Sequence, residues 1–535
     1  MNKSAGARSS PDIRIAVIKQ AVQQLEEERA NFLWELNTLQ ASTRDLPSEV
    51  LAHIFLLASG DYGDHRRQKA RTLLPAPGDY GNYRGQRVPL KLAGVCSLWR
   101  GIALSTPHLW SSLILPIYAR VDVNMKRQNV VSLLQHYLTN AGTVPFSLDL
   151  RFDTPIHRSR PATEIIRPST EILDLFSSVL FREVYARKVH GLKIFHAPFE
   201  WITSFPKFPN LVALTIHGPT GCLDRILVLP LVNSPRLHNL VFDDFRSRGP
   251  LPWWRELVPN NVERTQMTRI SLAWVPADVC VALLVLCPNV AYFESTNPAY
   301  ADIESDNLQA YGLIDGPIVL RQLEHFGWTH PSSPGASTQT YRRLRFPALR
   351  TFRWYANEFS HLDHCALEAL LPNLPKTVSR LEVLFADEWP MSLVQLMFIH
   401  GATARDLCLD GCNYTTMSNV IITLGRRSVG RGGVYLPQLE KVSIDGIGMD
   451  SEPGDESEDP AEVLMAGHIM DTLRYRCQPP NTGFSLELSR CDGVWAGEMR
   501  EAYWLLQAEG HACFKIWADG QKLYPLCWGI KPKVK

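Results

Sequence analysis

The spacing of apolar and polar positions follows a helical period near the start of the chain and switches to a strand-like alternation beyond about residue 143. Between residues 12 and 40 apolar side chains stand at Ile15, Ile18, Val22, Leu25, Phe32, Leu36 and Leu39. With Arg29 filling the missing step, they follow alternating intervals of three and four for more than three heptads, the pattern of a coiled-coil seam. A single helix packed back on the body of the protein satisfies the same spacing. A fresh start signal follows in "LPSEVLAHIF", residues 46–55. Proline is tolerated in the first turn of a helix, where its missing N–H has no partner to lose. Glu49 then sets a negative charge near the positive end of the helix dipole. Val50, Leu51, Ile54, Phe55 and Ala58 form one apolar stripe. Beyond a Gly-, Pro- and Arg-rich loop at 60–89, the residues Leu92, Val95, Cys96, Trp99, Ile102 and Ala103 share another helical face. Two short helices bury too little to stand alone, so part of their surface must meet a partner or the rest of the chain.

From about residue 143 a short phrase recurs, an apolar residue, two variable ones, then apolar–x–apolar. It runs from "VHGLKIF" at 189 and "NLVALTI" at 210 to "ARDLCL" at 404 and "QLEKVSI" at 438. The alternation reads as short strands, and helical stretches such as "PADVCVALLVLCP" fall between them. A period of roughly 20 to 35 residues with one strand and one helical return is that of an irregular leucine-rich-repeat solenoid. An ordinary α/β domain with a parallel sheet is the alternative. The apolar column predicts a buried ladder of Leu214, Leu240, Ile270, Phe293, Phe326, Phe352, Leu381, Leu407 and Val442, with Trp328 and Trp354 stacked in the core. The intervening columns carry His217, Asp243, Glu294, Arg353, Tyr355, Glu382, Asp410 and Asp445, a mixed, mildly acidic surface suited to protein recognition. Arg353 and Tyr355 flank Trp354 on a central strand and are the predicted target-binding residues, with Glu382 placed to orient Arg353.

Composition narrows the function classes. A chain of 535 residues exceeds one ordinary core. A net charge of +1 gives no electrostatic case for nucleic acid or an acidic membrane. Tyr and Arg interleaved at 60–87 could stack on single-stranded RNA, but the local positive excess is only about three charges. The 11 cysteines lack any CxxC pair and read as reduced thiols of an intracellular protein. The polar start carries no signal-peptide pattern, and the apolar run "VCVALLVLC" is too short to cross a bilayer. A soluble protein of the cytoplasm or nucleus is expected. No GxxxxGK[ST] loop, HExxH pair or GxSxG elbow occurs. "GRRSVGRGG" at 425–433 matches no phosphate cradle, and "HLDHC" at 361–365 lacks a second pair at zinc spacing. No catalytic or metal residue is therefore nominated, and no enzyme activity or cofactor is expected.

The stretch "LPSEVLAHIF…LKLAGVCSLWRGIA…LW" resembles an F-box, with an LPxE start, an I-F pair, a V-C-x-x-W-R core and a trailing L-W within residues 44–113. The preceding heptad helix resembles the arrangement common in F-box proteins of mushroom-forming fungi, while the loop at 60–89 is longer than the usual connection. The resemblance implies docking on a Skp-family adaptor and, through it, a cullin–RING ubiquitin ligase. The motif positions it implies for that contact are Leu46, Pro47, Glu49, Leu51, Ile54, Phe55, Val95, Cys96 and Trp99. The expected architecture is α/β. An N-terminal helix at 12–42 and a three-helix F-box at 44–113 are followed by an irregular leucine-rich-repeat horseshoe solenoid at 143–448. An acidic loop at 449–460 and further repeats or a cap at 461–535 complete it. The expected function is a non-catalytic substrate receptor that recruits a protein target. The alternative is a non-ligase scaffold whose F-box-like helices pack internally.

Overall fold

The structure, a computed structural model, describes residues 11–40, 45–59, 88–118, 124–153, 170–180, 182–197, 205, 208–218, 234–243, 266–275, 277–296, 316–330, 338–356, 360–386, 389–425, 434–445, 468, 472, 475–476, 484–489, 515–518 and 521–522. Residues 60–87 of the expected loop, the acidic 449–460 segment, 426–433 and most of 461–535 lie outside the described residues. The chain divides into two compact units, residues 1–115 with 121–149, and residues 116–120 with 150–535.

The first unit holds α1 (Pro11–Gln40), α2 (Ser48–Ala58), α3 (Val88–Ala93), α4 (Ser97–Leu104), a 3-10 turn (Pro107–Trp110) and α5 (Asn124–Asn140). It also holds the first halves of the neighbouring strands β1 (Ser112–Tyr118) and β2 (Phe146–Asp153). Pro47 stands just before α2 as its N-cap, and its carbonyl accepts from the amides of Val50 at 3.0 Å and Leu51 at 3.1 Å. The helical face read continuously from Leu92 to Ala103 is broken in two. The backbone of Cys96 is extended, and its Sγ accepts from the Trp99 amide at 3.4 Å, so the thiol caps α4 where a hydroxyl or carboxylate is usual. Trp110 is fully buried, donates Nε1–H to the Ala103 carbonyl at 2.7 Å and meets Tyr137 of α5 edge-on at 5.0 Å.

The second unit is organised by the strands β3 (Val189–Phe195), β4 (Ala213–His217), β5 (Asn239–Asp243), β6 (Arg269–Ala273), β7 (Tyr292–Thr296), β8 (His325–Thr329), β9 (Thr351–Tyr355), β10 (Arg380–Leu384), β11 (Asp406–Asp410), β12 (Lys441–Asp445), β13 (Ser485–Ser489), β14 (Lys515–Ala518) and β15 (Gln521–Lys522). They lie side by side in chain order, parallel from β3 to β14, and only the terminal β14–β15 pair is antiparallel. The helices of this unit are α6 (Thr170–Leu180), α7 (Glu183–Ala186), α8 (Ala277–Leu286), α9 (Thr338–Arg343), α10 (Ser360–Leu370), α11 (Met391–His400) and α12 (Tyr414–Leu424).

The expected ladder is present in full. Leu214, Leu240, Ile270, Phe293, Phe326, Phe352, Leu381, Leu407 and Val442 are register partners on successive strands, and all are buried. Each such side chain contributes about 1.5–3 kcal/mol by leaving water. A one-residue slip would turn the whole row to the other face, so the row fixes the register. Trp328 and Trp354 are register partners in the core.

The α/β class stands, but the expected architecture of a three-helix F-box followed by a leucine-rich-repeat horseshoe does not. The structure presents a parallel sheet with interleaved helices, the alternative reading of the same pattern. The described returns differ too much to be one repeated unit, since α9 has 6 residues and α12 has 11. At the other end, α2, α3 and α4 pack on one another and share their compact unit with strand residues. The physical reason is that period-2 apolar phrases fix which face of a strand is buried, and a crossover between successive strands makes them parallel, but neither dictates the geometry of what lies between them.

Candidate functional site

Strand alternation separates the buried ladder from a second face whose side chains are half-buried; β4, β5, β9, β11 and β12 all alternate strictly between the two. At its centre the register column runs Glu294, Gly327, Arg353, Glu382. Arg353 Nη1 donates to Glu294 Oε1 at 2.9 Å and to the Tyr355 hydroxyl at 3.2 Å, and its Nε donates to Glu382. Glu294 also accepts from the hydroxyls of Tyr292 and Tyr355, and Glu382 accepts from Arg380. Side-chain exposure is 19% for Arg353, 9% for Glu294 and 5% for Glu382, so this charge network is largely withdrawn from water.

Glu294 and Arg353 lie two strands apart, about 9.6 Å between backbones. They meet because the strand between them carries Gly327 at that register; a Cβ there would come within 3.2 Å of Glu294 Cγ. One side of the network is aromatic. Arg269 Cζ sits 3.8 Å over the Tyr292 ring, and His325 stacks on the same tyrosine at 4.2 Å. At the other end of the sheet His217 Nδ1 lies 2.9 Å from Asp243 Oδ2, with the Phe195 ring stacked on it at 4.0 Å.

The protonation states follow from this packing. Burial alone would raise both carboxyl groups, but the Arg353 guanidinium and the hydrogen bonds around them hold Glu294 and Glu382 below the usual carboxylate range. Burial and the neighbouring carboxylate push the Tyr292 and Tyr355 hydroxyls up, so both remain donors. Burial, then the nearby Arg353 charge, pushes His325 down to about 4, and its buried Nε2 has no hydrogen-bond partner among the described residues. Burial likewise pushes the thiols of Cys408 and Cys412 up to about 11 and about 12, which removes them as nucleophiles at neutral pH. Among the described residues no three His, Cys, Asp or Glu side chains gather as metal ligands.

The predicted adaptor residues divide by burial. Leu51 and Phe55 are buried in the first unit, and the Phe55 ring meets the half-buried Trp99 at 4.9 Å. Cys96 is half-buried in its capping role, whereas Leu46, Pro47, Glu49, Ile54 and Val95 are exposed. Val50, Leu57, Leu98 and Leu104 are exposed beside them. The stripe read as one face of α2 is therefore two: Leu51 and Phe55 turn inward, while Val50 and Ile54, one position before each, turn to solvent.

The predicted target residues Arg353, Tyr355 and Glu382 come together, joined by Glu294. Sequence reasoning missed Tyr292, His325, Arg380 and Gly327. Their signal was present, since each occupies a first or third strand position within a recurring phrase, and Gly327 is the column's one position without a side chain between Glu294 and Glu382. No family model matches the chain, and no curated protein is similar to it in sequence.

Proposed function

We propose that this chain is a substrate receptor of the F-box type, docking through residues 46–104 on a Skp-family adaptor of a cullin–RING ubiquitin ligase and recruiting a protein target through the polar face of the sheet. The observation that carries this reading is the uncovered apolar surface of the first unit. Leu46, Val50, Ile54, Leu57, Val95, Leu98 and Leu104 are all exposed on or beside two short helices. Where exposed apolar side chains form a contiguous patch, as residues one helical turn apart on α2 (Val50, Ile54 and Leu57) do, they mark a surface that another protein covers. In this reading Leu46, Pro47, Glu49, Ile54 and Val95 touch the adaptor, while Leu51, Phe55, Cys96 and Trp99 hold the helices that present them. Arg353, Tyr355 and Glu382 belong to the target surface, and the cytoplasm or nucleus is the compartment implied. Among the described residues no helix is long and apolar enough to cross a membrane.

A non-ligase scaffold whose F-box-like helices pack internally is the competing reading; because two carboxylates already satisfy Arg353, a target in either reading meets the Arg353–Glu382–Tyr355 cluster as a closed network and not as a free guanidinium. Co-purification with a Skp-family adaptor separates the two. Wild type should capture the adaptor, and Leu46→Ala/Pro47→Ala should weaken capture at least tenfold, about 1.4 kcal/mol, with the melting temperature unchanged. Equal capture by the double variant, or none by wild type, rejects the receptor reading.

A further inference from the structure

The first unit carries a second uncovered apolar surface, on α1 (Pro11–Gln40), which the adaptor-docking reading does not use. Six seam residues, Ile15, Ile18, Val22, Leu25, Phe32 and Leu36, are exposed, from 47% at Leu36 to 70% at Phe32. Leu25, Glu28, Arg29, Phe32, Leu33 and Leu36 line a shallow groove along the helix. We propose that α1 forms a two-stranded coiled coil with the α1 of a second copy of this chain.

Three observations select that occupant. Taking Ile15 as position a of a heptad, the a positions are Ile15, Val22, Arg29 and Leu36, and the d positions are Ile18, Leu25, Phe32 and Leu39. Two of the four a positions are β-branched and two of the four d positions are leucine, the choices that favour two strands, and one polar residue at an a position restricts oligomer number and register. Arg29 is that residue. Next, the seam complements itself electrostatically. In a parallel pair each Arg29 lies beside the Glu28 of the other copy, and in an antiparallel pair it faces the Leu25 layer flanked by Glu26. Either way the seam's one charge meets an acid from the same sequence. The outer face engages itself, with Gln23 donating to Glu27 at 3.3 Å. Last, the size is adequate. A helix of 30 residues is about 45 Å long and at least 10 Å wide. Two such faces cover about 900 Å² in total, close to the roughly 1,000 Å² that a specific contact needs. That area predicts a dimer that dissociates on dilution.

Sedimentation equilibrium of the full chain, from about 1 to 100 µM, tests the proposal. Wild type should rise with concentration from 60.4 kDa toward twice that mass. Leu25→Glu/Phe32→Glu should remain at 60.4 kDa throughout, with the thermal unfolding of the remainder unchanged. Arg29→Leu, which removes the one seam charge without loss of apolar contact, should tighten association about tenfold or admit a third strand. Arg29→Glu should weaken it at least as much. A wild type that stays monomeric assigns the seam to another protein or to internal packing and overturns the proposal. So does a dimer whose mass is indifferent to the Leu25/Phe32 pair, because its interface then lies elsewhere.

Discussion

Replacing Arg353 by Met keeps most of the side chain's length and removes only its charge and donors. The guanidinium is the bridge between Glu294 and Glu382, whose side chains are nearly closed to water. Breaking a buried pair by deleting one partner costs about 3–5 kcal/mol, because the abandoned charge has lost both water and counter-ion. Here the abandoned carboxylates retain other donors, the Tyr292 and Tyr355 hydroxyls for Glu294 and Arg380 for Glu382. The loss should therefore fall near the lower end, about 3 kcal/mol at pH 7. It should also depend on pH with a definite sign. In the wild type both carboxyl groups titrate below their unfolded values, so their contribution is full above the unfolded pKa and lost as pH falls through the folded one. Burial is already the largest influence on both groups, and without Arg353 it loses its main opponent and raises them, so the variant should regain stability relative to wild type between pH 7 and about 5. Urea denaturation followed by tryptophan fluorescence measures the loss, and hydrogen exchange in 292–296, 325–329, 351–355 and 380–384 locates it. The triple change Arg353→Met/Glu294→Gln/Glu382→Gln should recover most of it. A loss below about 1 kcal/mol, or a triple variant no better than the single, refutes the claim that the network is closed to solvent.

Gly327→Ala should destabilise the sheet by about 1–3 kcal/mol, although alanine normally improves on glycine within a strand. Its Cβ meets Glu294 Cγ at 3.2 Å, and that side chain is held by three bonds; thermal unfolding that stays equal to or above wild type would contradict this. His325→Phe should preserve stacking on Tyr292 while removing one limb of acid sensitivity. The imidazole is pushed from 6.5 down to about 4, so the unfolded chain binds a proton that the native state refuses within that window. Wild type should lose up to about 3 kcal/mol relative to the variant as pH falls from about 6.5 to 4; parallel stability–pH curves would dismiss that assignment.

The sequence alone was enough to place the strands of the apolar ladder, though not β1 and β2, which no recurring phrase announced. Every member of the predicted apolar ladder from Leu214 to Val442 is where the period-2 pattern put it, because burial of one face leaves a single acceptable register. The start of α2 was legible to within one residue, since Pro47, expected in the first turn, is the N-cap and Glu49 lies in the first turn as expected. What lies between elements was not. A horseshoe and an open parallel sheet use the same strand phrases, and only the packing of unequal returns distinguishes them. The break at Cys96 escaped notice because a sulfur N-cap carries little sequence signal. Which half of the α2 stripe is buried was decided by where its neighbours lie.

The polar face shows the same division. Alternation placed Arg353, Glu382 and Glu294 outside the apolar core, and that much is local. Their coupling needed the order of strands in space. Glu294 and Arg353 are 59 positions apart in sequence, and a salt bridge between them exists because β8 lies between their strands and offers glycine at the shared register. Periodicity fixes which way a side chain points, because it follows from backbone geometry within one strand. Which charges it meets, and so whether it is free to bind or is already satisfied, depends on neighbours the chain brings in from far away.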